Sequence, residues 1–313
     1  MRKISFVIPC YRSENTVRSV YEGIREVIGQ KTDYCYEIIA VNDCSPDNVL
    51  QVLVSIADED QNVKVVDCAK NMGKHAALMA GFHFVSGEIV VCVDDDFQCP
   101  MDQLWRLLEP LNAGYDVSMA KYGRKAQSSL KNVGSLGNEL MMRWMLGKPR
   151  DFQFTNFAAM KRFVVEEMTR YDNAYSYVNG LVLRSTSKYV NVPMEERERL
   201  SGTGGYTFKK SLLLWVNGLT AFSVLPLRLA TILGLICTVF GLALGIICIV
   251  RAVLGALQII APGLAAVFFV GGLLMLLIGL LGEYVGRIYM CINKAPQYVI
   301  RRTWNIQGTE EDA

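Results

Sequence analysis

Apolar and polar positions fall into two regimes along the chain. Over residues 1–200, short β-branched runs alternate with segments of helical spacing. ISFVIP (Ile4–Pro9) predicts a buried strand, and Asn15 to Ile28 carries apolar residues at helical intervals. EIIAVND (Glu37–Asp43) predicts a second strand, followed by the helix-start signal Ser45-Pro46-Asp47. VKVVD (Val63–Asp67) and EIVVCVD (Glu88–Asp94) predict further strands, with His75 to Val85 as the helix between them. This βαβα order predicts an α/β fold, a doubly wound and mostly parallel sheet with helices on both faces. Ligands of such sheets bind beyond the carboxyl ends of the strands. Tyr11 and Glu14, Asn42 and Asp43, Asn71 to Lys74, and Asp94 to Gln98 occupy those ends and are expected to converge on one crevice.

The second regime is apolar throughout. No charge occurs from Leu229 to Val250, or from Ala252 to Gly282, where Pro262 and Gly263 interrupt the run. Each stretch exceeds the roughly 20 residues needed to cross a bilayer core of about 30 Å. Two transmembrane helices are therefore expected, with two buried helices of a soluble core as the alternative. Lys209, Lys210 and Arg228 precede the first span, and Arg287, Lys294, Arg301 and Arg302 follow the second, while Arg251 alone lies between them. The positive-inside rule then puts both termini in the cytoplasm. Residues 1–20 hold a strand pattern and no cleavable apolar run, so no signal peptide is expected. SLLLWVNGLTAF (Ser211–Phe222) reads as an interfacial helix, and EYVGRIYMCINK (Glu283–Lys294) as a similar element on exit. The expected organisation is a cytoplasmic domain over 1–205, an interfacial region over 206–228, two spans over 229–282 and a cytoplasmic juxtamembrane segment over 283–313.

Composition removes several function classes. The net charge is +2 and no Lys/Arg run carries interleaved aromatics, so no nucleic-acid partner is implied. The nine cysteines form no Cys-x-x-Cys pair and read as packing residues of a reducing compartment. With His75 and His83 as the two histidines, a multi-histidine metal centre is excluded and a Ser-His-Asp triad disfavoured. No G-x-G-x-x-G or G-x-x-x-x-G-K follows the first strand, which removes the dinucleotide and P-loop readings.

VVCVDDDFQCP (Val90–Pro100) carries the chemistry, delivering three carboxylates in a row from a buried strand. Like charges about 4 Å apart repel by roughly 4 kcal/mol per pair at an effective dielectric near 20. Such a group belongs where a cation arrives. Carboxylate oxygens suit Mg²⁺ or Mn²⁺. Asp94 and Asp96 share a face if the strand continues, and Asp95 points elsewhere. A metal on Asp96, with Gln98, would neutralise a departing diphosphate.

IPCYRSEN, VNDCSPD, NMGKHAALMAG and DDDFQCP, in that order, resemble the family-2 glycosyltransferases of the GT-A fold. With GEYVGRIY (Gly282–Tyr289) after the last span, the chain is similar to membrane-bound polyprenyl-phosphate glycosyltransferases: bactoprenol glucosyltransferases, undecaprenyl-phosphate aminoarabinose transferases and dolichyl-phosphate mannose synthases. The resemblance covers nearly the whole chain. It implies that Pro9, Tyr11, Glu14 and Asp43 hold the donor nucleotide, with Asp95 beside it. It implies that Asp94, Asp96 and Gln98 hold the metal. Lys74, Arg124, Lys125 and Lys131 would meet the phosphates. Lys131, Arg199, Ser201, Tyr206, Lys209 and Lys210 would receive the lipid phosphate. The partners implied are a nucleotide sugar, UDP-linked in preference to GDP-linked, a polyprenyl phosphate and the membrane; the transfer would be inverting. Gly234, Gly241, Gly245, Gly271, Gly272 and Gly279 allow close helix contacts and so a homo-oligomer.

The chain departs from the family pattern at Asn42, where the first Asp of a D-D pair is usual, and at Asp95, where a small or apolar residue is usual. It also has Asn156 in TNFAAMKR (Thr155–Arg162), where the family carries an Asp often called a base. Asp151 is the nearest other carboxylate. A polyprenyl phosphate, with a second pKa of about 6, is already a nucleophilic dianion at neutral pH, so catalysis is expected from Asp96, its metal, Lys74 and Arg199, with Asn156 orienting the acceptor. Two alternatives remain. A processive polysaccharide synthase needs Q-x-x-R-W, but LMMRW has Leu140 in place of Gln. A catalytically silent nucleotide-sugar-binding scaffold would account for Asn42 and Asn156.

Overall fold

The computed structural model describes residues 1–123, 143, 149, 151–173, 176–195, 260–293 and 295–306, with scattered positions between 232 and 254. One compact unit comprises Met1–Thr207 together with Lys294–Ala313, and a second comprises Phe208–Asn293.

In the first unit the β-branched runs form β1 (Arg2–Cys10), β2 (Tyr34–Asn42), β3 (Val63–Cys68) and β4 (Ile89–Cys92). The helices between them are α1 (Val17–Gly29), α2 (Val49–Glu59) and α3 (Lys74–Phe82). A 3₁₀ turn (Met101–Gln103) leads into α4 (Leu104–Asn112), β5 (Val117–Tyr122), β6 (Ala158–Lys161), α5 (Arg162–Thr169), α6 (Val178–Ser185) and β7 (Tyr189–Met194). The four strands expected from sequence are all present, with ends displaced by up to three residues.

Among the described residues the sheet has eight strands in the order β7-β5-β6-β4-β1-β2-β3-β8, where β8 is Ile300–Trp304. Its centre, β4-β1-β2-β3, is parallel. The flanks are mixed: β6 runs antiparallel to β4 and β5, whereas β7 is parallel to β5. Burial accounts for the parallel centre. Ile4, Phe6, Ile8, Ile38, Val65 and Val91 pack on one face against Ile24, Leu53 and Leu107 of α1, α2 and α4. The other face receives α3, where Gly81 brings the helix so close that an added Cβ would lie 2.5 Å from Val7 and 3.1 Å from Val41. Both faces of these strands are covered, so their sequences read as continuous apolar runs without alternation.

The eighth strand, β8 (Ile300–Trp304), was not expected. It comes from the last residues of the chain and pairs antiparallel with β3. Its sequence, IRRTW, lacks the apolar run that marked the central strands, because it is an edge strand with exposed arginines.

The second unit is described mainly through α7 (Ile260–Ile292), 33 residues long. Pro262 sits in its first turn, where the missing N–H breaks no intrahelical bond. The helix passes through Glu283 without a break, so EYVGRIY continues α7 and is no separate element. Val267, Phe269, Leu274, Ile278, Leu281, Val285 and Ile288 are exposed along it. Among the described residues no helix is long and apolar enough to cross a membrane. The stretch 229–250 lies mostly outside those positions.

Candidate active site

The carboxyl ends of β1, β2, β3 and β4 lie side by side, and the loops that leave them are tied together by polar contacts. β1 ends at Cys10, one residue after Pro9, which is in register with Val41. Arg12 takes a positive φ of 59° and turns the chain toward α1. Its N–H donates to Ser45 Oγ at 2.8 Å. The Glu14 N–H donates to Asp47 Oδ2 at 3.0 Å, and Glu14 Oε2 accepts the Asn48 N–H at 2.9 Å. The β1–α1 and β2–α2 loops therefore hold one another in place.

Asp43, 4 % exposed, accepts the N–H groups of Met72 and Gly73, each at 2.9 Å. Its backbone carbonyl accepts from Asn71 Nδ2 at 3.1 Å. Burial pushes its carboxyl above the usual aspartate range, against the pull of those two N–H donors. Gly73 takes a φ of 88°, a conformation that L side chains rarely adopt, and Lys74 opens α3 directly after it.

β4 stops at Cys92, so strand alternation does not extend through the acidic triplet. The three carboxylates nevertheless part company. Asp94 receives Lys74 Nζ on Oδ1 and Asn156 Nδ2 on Oδ2, the latter at 2.6 Å. Asp95 turns inward to accept the Tyr11 N–H at 2.9 Å, and its carbonyl accepts the Thr16 hydroxyl at 2.5 Å. Burial pushes Asp95 up to about 6, with Asp94 and Asp96 adding to the rise and the Tyr11 N–H opposing it. Asp96 Oδ1 accepts the Gln98 N–H at 3.2 Å across Phe97, itself at a φ of 63°.

The expected residues Tyr11, Glu14, Asp43, Lys74, Asp94, Asp95, Asp96, Gln98 and Asn156 thus occupy the loops at one sheet edge, with Pro9 just beneath them. Asp151 offers its backbone carbonyl to Lys121 Nζ at 3.3 Å. Arg124, Lys125, Lys131, Arg199, Ser201, Tyr206, Lys209 and Lys210 lie outside the described residues.

Sequence reasoning missed two parts of this edge. Asp67, the last residue but one of β3, accepts from Asn42 Nδ2 at 2.7 Å. It was legible by the rule that flagged the triplet, a carboxylate at the carboxyl end of a buried run. His75 packs edge-on to Tyr177 with ring centroids 5.1 Å apart, and its Nδ1 has no hydrogen-bond partner. Burial, with Lys74 adjacent, pushes its imidazole down to about 4, so it is neutral at physiological pH.

Among the described residues no cluster of three or more His, Cys, Asp or Glu side chains is arranged to hold a metal ion. The donors at the edge are carboxylate oxygens, which fit a hard divalent cation whose remaining ligands are substrate phosphates and water. Asp94 could join such a set once Lys74 leaves it.

The profile of "Glycosyl transferase family 2" matches residues 5–169, more than half of the chain. An undecaprenyl-phosphate 4-deoxy-4-formamido-L-arabinose transferase of Photorhabdus laumondii is 29% identical over 318 aligned positions, covering 100% of this chain and 97% of that one. The uncharacterized glycosyltransferase YkcC of Bacillus subtilis is 29% identical over 97% of this chain and 95% of its own. Among solved structures, glucosyl-3-phosphoglycerate synthase of Mycobacterium tuberculosis in complex with Mn²⁺ and UDP-glucose superposes with a TM-score of 0.52, at 19% identity, over 71% of this chain and 79% of that one. That likeness is one of fold, the mixed α/β sheet of the GT-A glycosyltransferases. By its profile match and its full-length relatives, the chain belongs to glycosyl transferase family 2 and is a glycosyltransferase.

Proposed function

We propose that this glycosyltransferase moves one sugar from a nucleotide-diphosphate sugar, a UDP-sugar by preference, to undecaprenyl or another polyprenyl phosphate at the cytoplasmic face of a membrane. The observation that carries the reading is the meeting of Lys74, Asp94 and Asn156 beside loops braced by Asp43 and Asp95. The printed activity of the Photorhabdus relative, aligned end to end, supports the acceptor class.

In this reading Pro9, Tyr11, Glu14 and Asp43 hold the nucleotide, and Asp95 fixes the Tyr11 backbone that faces it. Asp96 and Gln98, joined by Asp94, hold a divalent cation. That cation, Mg²⁺ or Mn²⁺, supplies charge neutralisation to the leaving diphosphate. Lys74, released from Asp94, and Arg124 would add positive charge along the same diphosphate. Lys131, Arg199, Ser201, Tyr206, Lys209 and Lys210 receive the lipid phosphate. A phosphate oxygen of the acceptor bonds to the anomeric carbon as the bond from that carbon to the diphosphate breaks, with inversion, and the nucleoside diphosphate departs. No proton has to move, because the acceptor is a dianion near neutral pH. Asn156 therefore serves by orientation.

The membrane half of the proposal rests on the two uncharged runs, Leu229–Val250 and Ala252–Gly282, each above the roughly 20 residues that a bilayer core of about 30 Å requires. Residues 229–282 would supply two spans with both termini cytoplasmic, 206–228 an interfacial element, and 1–205 the catalytic domain.

The test is a transfer assay with the purified full chain, undecaprenyl phosphate, Mg²⁺ or Mn²⁺ and a panel of UDP- and GDP-sugars, the lipid product being weighed by mass spectrometry. One new lipid mass, lost with chelator and in Asp96→Asn, is the expected result. Nucleotide binding without transfer from any donor would instead identify a silent scaffold.

A further inference from the structure

Asp67 is 2 % exposed at the end of β3, and a carboxylate so buried needs compensating partners. It has one from each side. Asn42 of β2, directly paired with it, donates through Nδ2 at 2.7 Å. Arg301 of β8 places its guanidinium Nη1 at 3.6 Å.

Arg301 reaches Asp67 because the edge is irregular. Asp67 pairs with Arg302 and Cys68 with Ile300, which leaves Arg301 as the extra residue of a bulge. Bulges re-aim a side chain and are over-represented beside active sites. The same guanidinium donates to the Ala69 carbonyl at 3.2 Å, and the Ala69 N–H donates to the Val299 carbonyl at 2.8 Å. The segment leaving β3 toward Asn71 and Gly73 is thus clamped by β8.

The polar line continues on the far side of Asp67. Asn42 Oδ1 accepts the Ser45 N–H at 3.1 Å. The Ser45 hydroxyl accepts from the Arg12 N–H and donates to Asp47 Oδ1, and Asp47 Oδ2 accepts the Glu14 N–H. An asparagine suits position 42 because its amide donates to Asp67 and accepts from Ser45 at once. An aspartate there would set two buried carboxylates face to face.

We infer that Arg301, presented by the β8 bulge, is a positioning residue for the donor nucleotide, acting through Asp67 and Asn42 on the loops that carry Tyr11, Glu14 and Asp43. The inference rests on the nucleotide-sugar reading above. It makes β8 a support of the donor site, acting through Asp67 and Asn42 without touching the nucleotide.

The experiment uses the full chain in detergent and titrates UDP, then GDP, by calorimetry, alongside donor KM, kcat and thermal midpoint. Arg301→Ala weakens UDP binding and raises donor KM by about three- to tenfold, the range of an exposed cation on a buried anion, with kcat unchanged. Arg301→Lys recovers part of the loss. Arg302→Ala, on the same strand with its guanidinium 5.0 Å from the Trp304 ring, leaves affinity unchanged. Asn42→Asp weakens binding further, and adding Asp67→Asn restores most of it by reversing the donor and acceptor. Wild-type affinity in Arg301→Ala, or an equal loss in Arg302→Ala, overturns the inference alone. Wild-type protein that binds neither UDP nor GDP overturns the nucleotide-sugar reading, and this inference with it.

Discussion

Replacing Asn156 with Asp separates orientation from base catalysis. Asn156 Nδ2 donates to Asp94 Oδ2 over 2.6 Å while Lys74 holds the other oxygen. A hydrogen bond to a charged acceptor is worth about 1.5–3 kcal/mol. In Asn156→Asp that donor becomes a second carboxylate. At the same separation two unit charges repel by roughly 6 kcal/mol at an effective dielectric near 20. Position 156 is exposed, so rotation into water relieves most of the repulsion, and the lost bond remains. At about 1.4 kcal/mol per decade, kcat/KM falls about 10- to 100-fold, and Asn156→Ala falls no further than Asn156→Asp. The assay is the initial rate of lipid-product formation from pH 6 to 9. If a base were missing from the site, the new carboxylate would raise kcat and add a pH limb. A rate in Asn156→Asp equal to or above wild type would refute the orientation argument.

Lys74→Met frees Asp94 from its cation, so Mn²⁺ binding followed by electron paramagnetic resonance tightens while turnover falls. Glu37, 3 % exposed as a side chain, is pushed up by burial, but Lys64, Ser5 and Ser86 outweigh that push and hold it at about 2 against an ordinary 4.5. A depressed folded value means stability present above pH 4.5 and lost as pH falls through 4.5 toward 2, about 3 kcal/mol in all. Urea midpoints of Glu37→Gln are therefore lower than wild type at pH 7 and lose the wild-type slope below pH 4.5. Gly81→Ala forces a Cβ to within 2.5 Å of Val7 and destabilises by about 1–3 kcal/mol, whereas Gly29→Ala, with nothing within 4 Å, does not; thermal midpoints decide.

The central sheet was legible because β1 to β4 are buried on both faces, which writes each as an apolar run. The rule of strand ends pointed to Tyr11, Asp43, Lys74 and Asp94, and the loops that carry them are joined by hydrogen bonds. β8 was not legible, since an edge strand needs no apolar run and IRRTW resembles any charged tail. Asp67 was overlooked because it stood alone, whereas the triplet drew notice by repetition. The alternation applied to Asp94 and Asp96 did not hold as derived, because β4 ends two residues earlier and Phe97 turns left-handed. Asp95 diverged from Asp94 all the same, drawn by the Tyr11 N–H.

The departures at Asn42 and Asn156 share one physical logic. Each amide stands against a carboxylate on a neighbouring segment, Asn42 against Asp67 and Asn156 against Asp94, and each donates its NH₂ there at 2.7 and 2.6 Å. Carboxylates at both positions would add two negative charges to an edge that already holds Asp43, Asp67 and three consecutive aspartates. The amides keep the hydrogen bonds and omit the charge. The triplet is then stabilised one member at a time: Asp94 by Lys74 and Asn156, Asp95 by the Tyr11 N–H, and Asp96 by the Gln98 N–H. These partners are all groups of the protein itself. In the proposed function, a cation held by Asp94 would have to displace Lys74 from that carboxylate. Lys74 lies one residue after Gly73, whose N–H is anchored by Asp43. In that reading the displaced ammonium would stay tethered beside Asp43, which the proposed function assigns to the nucleotide, and so within reach of the donor diphosphate.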